Sequence, residues 1–296
     1  MPTTLRSDTF TGFDEDINIL ATNKYRAPVS RTVDLDFMTA DPNGSKFVKA
    51  GAVIVNIPAS DLVRPLPLTT VASALAGSAV AVTVADASIF KASEALVIAR
   101  PYATLTFAGT VATGNTITLT LQGQALTYTL VAGDTTATIT ATSFAAFINA
   151  GAASDKVLAI ASGAIVYFYA KTGVPYTFAT SVTGGGVTST ASAAVMQENV
   201  VIATTSAVNT TTNVLTIGAS AVAQPIGAPI GVAVKPSDIL GLTVQKVLVA
   251  STQTLLDSLT NDIAVYDYAD IYTSLIPYWD EAIASALPKI SSVARG

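Results

Sequence analysis

The chain has 296 residues, half of them apolar but only 7% aromatic and 12% charged, and it contains neither cysteine nor histidine. A formal net charge of -5 and an isoelectric point near 4.6 are the wrong sign for a nucleic-acid grip, which needs clustered Lys and Arg to displace counterions. Without Cys or His there is no disulfide framework, thiol nucleophile, Cys-rich zinc site, Ser-His-Asp triad or Cys-His pair.

Any enzyme built on this chain would have to work with Asp, Glu, Lys, Ser or Tyr alone. The expectation is therefore a non-catalytic protein with no cofactor. The charged share is about half that of an ordinary soluble domain. Such a surface is either covered by partners or meets water through Thr, Ser and Asn rather than through ions.

In chain order, residues 1–50 carry a dense mixture of charges and no sustained helical or strand period, which reads as an extended N-terminal arm ordered by lying on something else. The opening MPTTLRSDTFTGFDEDINIL lacks an apolar core and carries acids early, so no secretory or transit peptide is expected. The triplet Asp14, Glu15, Asp16 is oxygen-rich enough for a hard cation. No spaced second ligand set accompanies it, so it reads as a solvated loop or as a partner for basic residues of a neighbouring subunit.

Gly51 to Ile57 reads as a strand stopped by Pro58, and Arg64-Pro65-Leu66-Pro67 as an extended connector. Val71 to Ala85 is the most membrane-like run, but it is short and broken by Ser73, Gly77, Ser78 and Thr83, so no membrane span is expected. Val80, Val82 and Val84 share one face of a strand by their period of two. Ala95 to Ile98 then opens a strand that stops at Arg100-Pro101 and finds its pairing partner far downstream, at Val200 to Ala203. With residues 102–198 set aside, those two runs become the legs of one hairpin. The remaining host, residues 51–101 plus 199–250, is then a series of short strands with turns about every ten residues, the pattern of a small β-barrel or sandwich.

Residues 102–198 accordingly read as an inserted β-rich domain. Between Tyr102 and Ala193 the only formal charges are Asp134, Asp155, Lys156 and Lys171, and so uncharged a segment needs strand pairing to remain soluble. Leu105 and Phe107 mark a strand. Thr116 to Leu121 and Ala125 to Val131 form a hairpin around Gln122-Gly123-Gln124, with Ile117, Leu119 and Leu121 on one face. Phe144, Phe147 and Ile148 have helical spacing, with Thr142 or Ser143 as the start and Gly151 as the stop. Strands follow at Val157 to Ala161, Ile165 to Ala170 and Tyr176 to Val182. Gly184-Gly185-Gly186 reads as a flexible loop tip, because a phosphate cradle needs a following helix and usually a lysine.

Beyond Gly218 the Pro-rich segment QPIGAPIGVAVKP suits a strand only at Ile230 to Val234. Leu242 to Ala250 reads as one strand and Thr252 to Leu259 as a short helix. Residues 251–296 form a helical, aromatic C-terminal part, with Tyr278 to Leu287 a helix bounded by Pro277 and Pro288. Its stripe is Trp279, Ile283 and Leu287. Asp280 and Glu281 are adjacent helix residues about 100 degrees apart, so they cannot flank one glycosidic bond.

The fold expected is thus mainly β: a barrel or sandwich host, an inserted β-rich domain with one helix, an extended N-terminal arm and a short helical C-terminal part. AGSAVAVTVADASIFKASEALVI leading to VIATTSAVNTTTNVLTIG resembles the β-rich head decoration, or cement, proteins of tailed bacteriophages. TITLTLQGQALTYTLVAGDTTATITATSFAAFINAG is similar to a strand-hairpin-helix module of phage tail and baseplate proteins. The resemblance implies a virion structural protein made in the host cytoplasm and bound to the outer surface of the capsid. Its partners would be the major capsid protein and its own copies, as a trimer, with no nucleic acid or membrane involved. Candidate partner-binding residues are Arg6, Asp14, Glu15, Asp16, Tyr25, Arg26 and Arg31 of the arm, and Tyr266, Tyr268, Tyr272 and Trp279 of the tail. A tail tube or baseplate component is the alternative within the same class. A cell-surface adhesin or carbohydrate-binding module using exposed Tyr and Trp is the alternative outside it.

Overall fold

The computed structural model describes residues 20–25, 29–38, 44–48, 51–57, 60–243, 247–250, 262–267, 269–271 and 281–292. The chain is mainly β. Its first strands, β1 (Leu20–Tyr25), β2 (Val29–Thr32), β3 (Lys46–Val48), β4 (Val53–Asn56) and β5 (Val63–Pro65), all find partners at the other end of the sequence or in each other. Next come β6 (Leu68–Thr70), β7 (Ala81–Thr83) and β8 (Ala95–Ile98).

The middle of the chain contributes β9 (Tyr102–Gly109), β10 (Thr116–Leu121), β11 (Gln124–Thr129), α1 (Ala137–Ala150), β12 (Val157–Ser162), β13 (Ile165–Ala170), β14 (Phe178–Thr183) and β15 (Val187–Ala191). The last third adds β16 (Val201–Asn209), β17 (Val214–Ile217), β18 (Pro229–Val232), β19 (Ile239–Leu242), β20 (Val247–Ala250), β21 (Asp262–Val265), β22 (Ala269–Ile271), α2 (Glu281–Ala286) and β23 (Ile290–Ser292).

Six strands form one antiparallel sheet in the order β6-β18-β8-β16-β17-β7. β8 and β16 pair as hairpin legs, Val97 opposite Val201 and Ala95 opposite Thr204, and Ile98 N–H donates to Val200. The two ends of this sheet meet: Val71 bridges Val84, Ala85 N–H donates to Thr70 and Ala72 N–H to Thr83. Closure of this kind removes the exposed edges that an open sheet would present. The interior is filled by the alternate side chains of the strands, including Val82, Leu96, Ile98, Ile202, Leu215 and Ile230.

Several local readings change. Val80 precedes β7 and is 63% exposed, so only Val82 and Val84 of that trio face the core. Arg64-Pro65 ends a strand rather than forming a connector, and Leu68 begins the next. The run from Leu242 to Ala250 is split between β19 and β20. β18 lies inside the sheet despite its proline. Pro229 occupies the first position of the strand and still accepts a hydrogen bond from Ala99 N–H, so its missing donor costs little.

Residues 103–196 supply a second apolar cluster wholly from among themselves, with Leu105, Phe107, Ile117, Leu119, Phe144, Phe168 and Phe178 at its centre. One wall is the sheet β12-β13-β9-β15 and the other is β11-β10-β14 together with α1. The β10–β11 turn is the two residues Gln122-Gly123, both with positive φ (49° and 78°), the combination that a tight hairpin turn demands.

α1 starts earlier than expected. Thr136 is the cap, its hydroxyl accepting from Ile139 N–H at 3.2 Å, while Thr142 and Ser143 lie inside the helix. The Thr-Ala-Thr-Ile-Thr alternation resembles a strand, but the buried Thr140, Ala141, Phe144, Ala145 and Ile148 follow helical spacing. β15 has no counterpart in the sequence reading. Gly184 to Gly186 is a held turn between β14 and β15: Asn115 donates to Gly185 O at 2.9 Å, and Thr110 N–H donates to Gly186 O.

The neck of this unit is one reciprocal backbone pair, Tyr102 N–H to Gln197 O at 2.9 Å and Gln197 N–H to Tyr102 O at 2.8 Å. Beside it, Tyr102, Tyr167 and Tyr169 leave the unit's outer face and join the barrel's apolar cluster. The Tyr169 hydroxyl donates to the buried Gln224 Oε1 at 2.7 Å. Burial pushes all three phenols above their usual value of 10.0, Tyr169 the furthest. The unit is therefore packed on the barrel, not only tethered to it.

Two measurements check this packing. Tyr169→Phe leaves the Gln224 amide buried without its hydrogen bond and should lower unfolding free energy by about 1–3 kcal/mol in denaturant titration. Gly186 has φ of 101°, and a Cβ there would stand 2.6 Å from Thr110 O. Gly186→Ala should therefore destabilise measurably, whereas Gly185→Ala, whose Cβ meets nothing within 4 Å, should be near neutral.

Candidate interaction surfaces

The N-terminal segment is not a free arm where it is described. β1 pairs with β22, β2 with β21 and β3 with β20, while β4 sits between β5 and β19. What this segment lies on is the chain's own C-terminal part. Val53, Leu242, Ile283, Leu287 and Ile290 pack together in one small core, and Val33, Val48, Ile54, Val63, Ile263 and Val265 in another.

This base is fastened to the barrel by charge. Asp34 caps a 3-10 turn at Leu35–Phe37 by accepting from Asp36 N–H at 3.0 Å. Its other oxygen accepts from Lys91 Nζ at 2.8 Å. Arg64, 4% exposed, donates to Glu94 Oε1 at 2.6 Å, and Glu94 Oε2 takes Lys91 N–H at 2.8 Å. Both cations lie over the Phe37 ring, the centroid being 4.3 Å from the Arg64 guanidinium carbon and 3.9 Å from Lys91 Nζ. Burial pushes the Asp34 carboxyl up. The Lys91 hydrogen bond, the Asp36 N–H and the charges of Lys91 and Arg64 outweigh that and hold it below its ordinary 3.8.

Of the residues singled out for partner binding, Arg31 is exposed on β2 opposite Ile263. Tyr25 ends β1 opposite Ala269. Tyr266 is half-buried, bridges Leu242 and packs on the small core beside Ile283, so part of its side chain is built into the base. Arg6, Asp14, Glu15, Asp16, Arg26, Tyr268, Tyr272 and Trp279 lie outside the described residues, as does the segment read as a helix at Thr252 to Leu259. The clamp of Asp34, Arg64, Lys91, Glu94 and Phe37 escaped sequence reading. Its members come from three separate segments, and only the Asp-Leu-Asp-Phe turn carried a local signal.

The second surface is the outer face of β11-β10-β14. The strand registers place Thr129, Thr116 and Thr183 in one row, Thr127, Thr118 and Ser181 in the next, and Ala125, Thr120 and Ala179 in the third. Thr104, Thr106, Thr188 and Thr190 make a similar group on β9 and β15. Asp155 is exposed in the turn that leads from α1 to β12, and the other three charges named above are engaged within the unit. Asp134 is buried, accepting from Tyr128 OH and Val131 N–H, while Lys156 and Lys171 donate to Gln124 Oε1 and Ser154 O of the same unit. A hydroxyl and methyl face of this kind stays wetted without ions and meets a neutral partner without desolvating a charge.

Among the described residues no group of three or more His, Cys, Asp or Glu is placed to hold a metal ion, and no helix is long and apolar enough to cross a membrane. No family model and no curated protein matches this chain.

Two outcomes test the clamp. Glu94→Ala strands the buried Arg64 guanidinium and should cost about 2–3 kcal/mol in chemical unfolding at neutral pH. Because the Asp34 pKa is depressed by folding, its contribution is complete above 3.8 and is lost as pH falls through the lower folded value. Stability should therefore decline below that point, and Asp34→Asn should flatten this part of the profile.

Proposed function

We propose that this chain is a non-catalytic structural protein of a tailed-bacteriophage virion that attaches as a trimer to the outside of the capsid and reinforces the lattice of the major capsid protein. The observation that carries the reading is the division of the molecule. A closed β-barrel bears, on a two-residue neck, a unit with its own core and a hydroxyl-rich face, while β1–β5 and β19–β23 are woven into a base clamped to the barrel. That division suits a protein that grips with one end and presents the other. The stretches resembling decoration proteins form most of the barrel, which supports the same reading.

The hairpin β10–β11 followed by α1 favours the second reading, a tail tube or baseplate component, because the tail-like resemblance falls on it. In either case the chain is an assembly part rather than an enzyme.

Added to capsids that lack it, the purified protein should bind saturably to their outer surface at local three-fold positions, seen by electron cryomicroscopy, and raise their temperature of disruption. Density on the tail, or no binding, would replace or end the capsid reading. Removing residues 1–19, which carry Arg6, Asp14, Glu15 and Asp16, should weaken binding at least tenfold, and undiminished binding would take the contacts away from this segment.

A further inference from the structure

The inserted unit and the base are joined to the barrel in different ways. The unit shares an apolar cluster with the barrel through Tyr102, Tyr167 and Tyr169. The base shares none. Among the described residues, its two small cores contain no side chain of the barrel strands, and the barrel cluster contains none of the base. No described sheet runs from one to the other.

Three features occupy the joint instead. Two short straps carry the chain across it, Pro65-Leu66-Pro67 between β5 and β6, and Ala233 to Pro236 between β18 and β19. Val232 N–H donates to Pro67 O at 3.2 Å, and β5 and β19 lie on either side of β4 in the base, so the straps run side by side. Their prolines fix backbone torsions, which leaves the straps able to bend along one line but not to swivel freely. On one side of that line, Lys91 of the loop before β8 holds Asp34 of the base at 2.8 Å and lies over the Phe37 ring. On the other side is a cavity of about 200 Å³, lined from the barrel by Val97, Ala99 and Val232 and from the base by Ile239 and Ile283. Glu94 precedes β8 and Ala99 follows it, so catch and cavity are separated by about 17 Å of extended chain. Arg64 stands next to the first strap and keeps Glu94 at the pivot.

We infer that base and barrel form a hinge: the base rocks on the paired proline straps, the Lys91–Asp34 contact is the catch that holds it shut, and the cavity beside Ile283 is the space it turns into. A joint held by charge at one edge and unpacked at the other has one direction in which it yields, and no shared apolar core has to be broken for it to do so. The barrel and its inserted unit thereby take more than one angle over whatever holds the base. The hinge follows from how base and barrel are joined and not from what the molecule is attached to.

The chain has no cysteine, so spin labels can be placed on engineered ones. Labels on Arg31→Cys and Thr216→Cys span base and barrel, and labels on Thr216→Cys and Thr183→Cys span barrel and unit; all three positions are exposed. Double electron–electron resonance on the full chain should give one narrow distance for each pair. With Lys91→Ala the base–barrel pair should gain a second distance holding at least about a tenth of the molecules, while the barrel–unit pair stays single. Asp34→Asn, in which asparagine still caps the turn, should act in the same direction. Adding Ala99→Leu, which fills the cavity, should remove the second distance. A base–barrel distance that stays single in both catch variants overturns the hinge, and so does a second distance that survives Ala99→Leu. Broadening of both pairs together is general loosening and overturns it as well.

Discussion

The pairing of β8 with β16 is the contact on which the rest of the molecule depends. It closes the barrel, yet its two strands are separated by the whole inserted unit. Closing a long flexible loop costs entropy that grows only slowly with length, about 0.6 kcal/mol per doubling. Here even that cost is reduced, because the inserted unit gathers its own core and brings Tyr102 and Gln197 into hydrogen-bonding distance. Once that neck has formed, the two legs enter the barrel side by side as though joined by a short turn. The tyrosines at the neck then set the unit's orientation: Tyr169 reaches Gln224, and Gln224 holds Leu75 through reciprocal backbone bonds.

A second long-range closure organises the base. Its strands are three to six residues long and pair across nearly the full length of the chain. Strands this short have little stability by themselves. They persist by packing on two small apolar cores and through the charged clamp at Phe37. Arg64 is desolvated where Glu94 and the Phe37 ring both face it, which offsets part of the cost of its burial, while its Nε is left buried without a hydrogen-bond partner.

The inserted unit inverts the usual distribution of charge. Its lysines lean onto its own acceptors, Asp134 is buried and Asp155 sits in the exposed turn before β12, so the broad face of β11-β10-β14 is left largely to threonine. This face then meets its surroundings through hydroxyls rather than through ions. Asn149 holds both backbone groups of Ala159 at the β12 edge, and the Thr180 and Ser189 hydroxyls meet where β14 passes β15.

Period and punctuation in the sequence determined much of this. Ile117, Leu119 and Leu121 alternate, so β10 and its hairpin were legible, as were β12, β13 and the two legs at Ala95 to Ile98 and Val200 to Ala203. Each is a local pattern long enough to declare its face. Thr136, Thr142 and Ser143 can each cap a helix, and only packing against the sheet selects the longer helix that Thr136 caps. The N-terminal strands, the β19–β20 break, the packing of Tyr266 against the small core and the five-residue clamp were decided by tertiary structure alone. Segments of three or four residues carry too little period to show which partner they have, and ion pairs between distant segments exist only after those partners have been brought together.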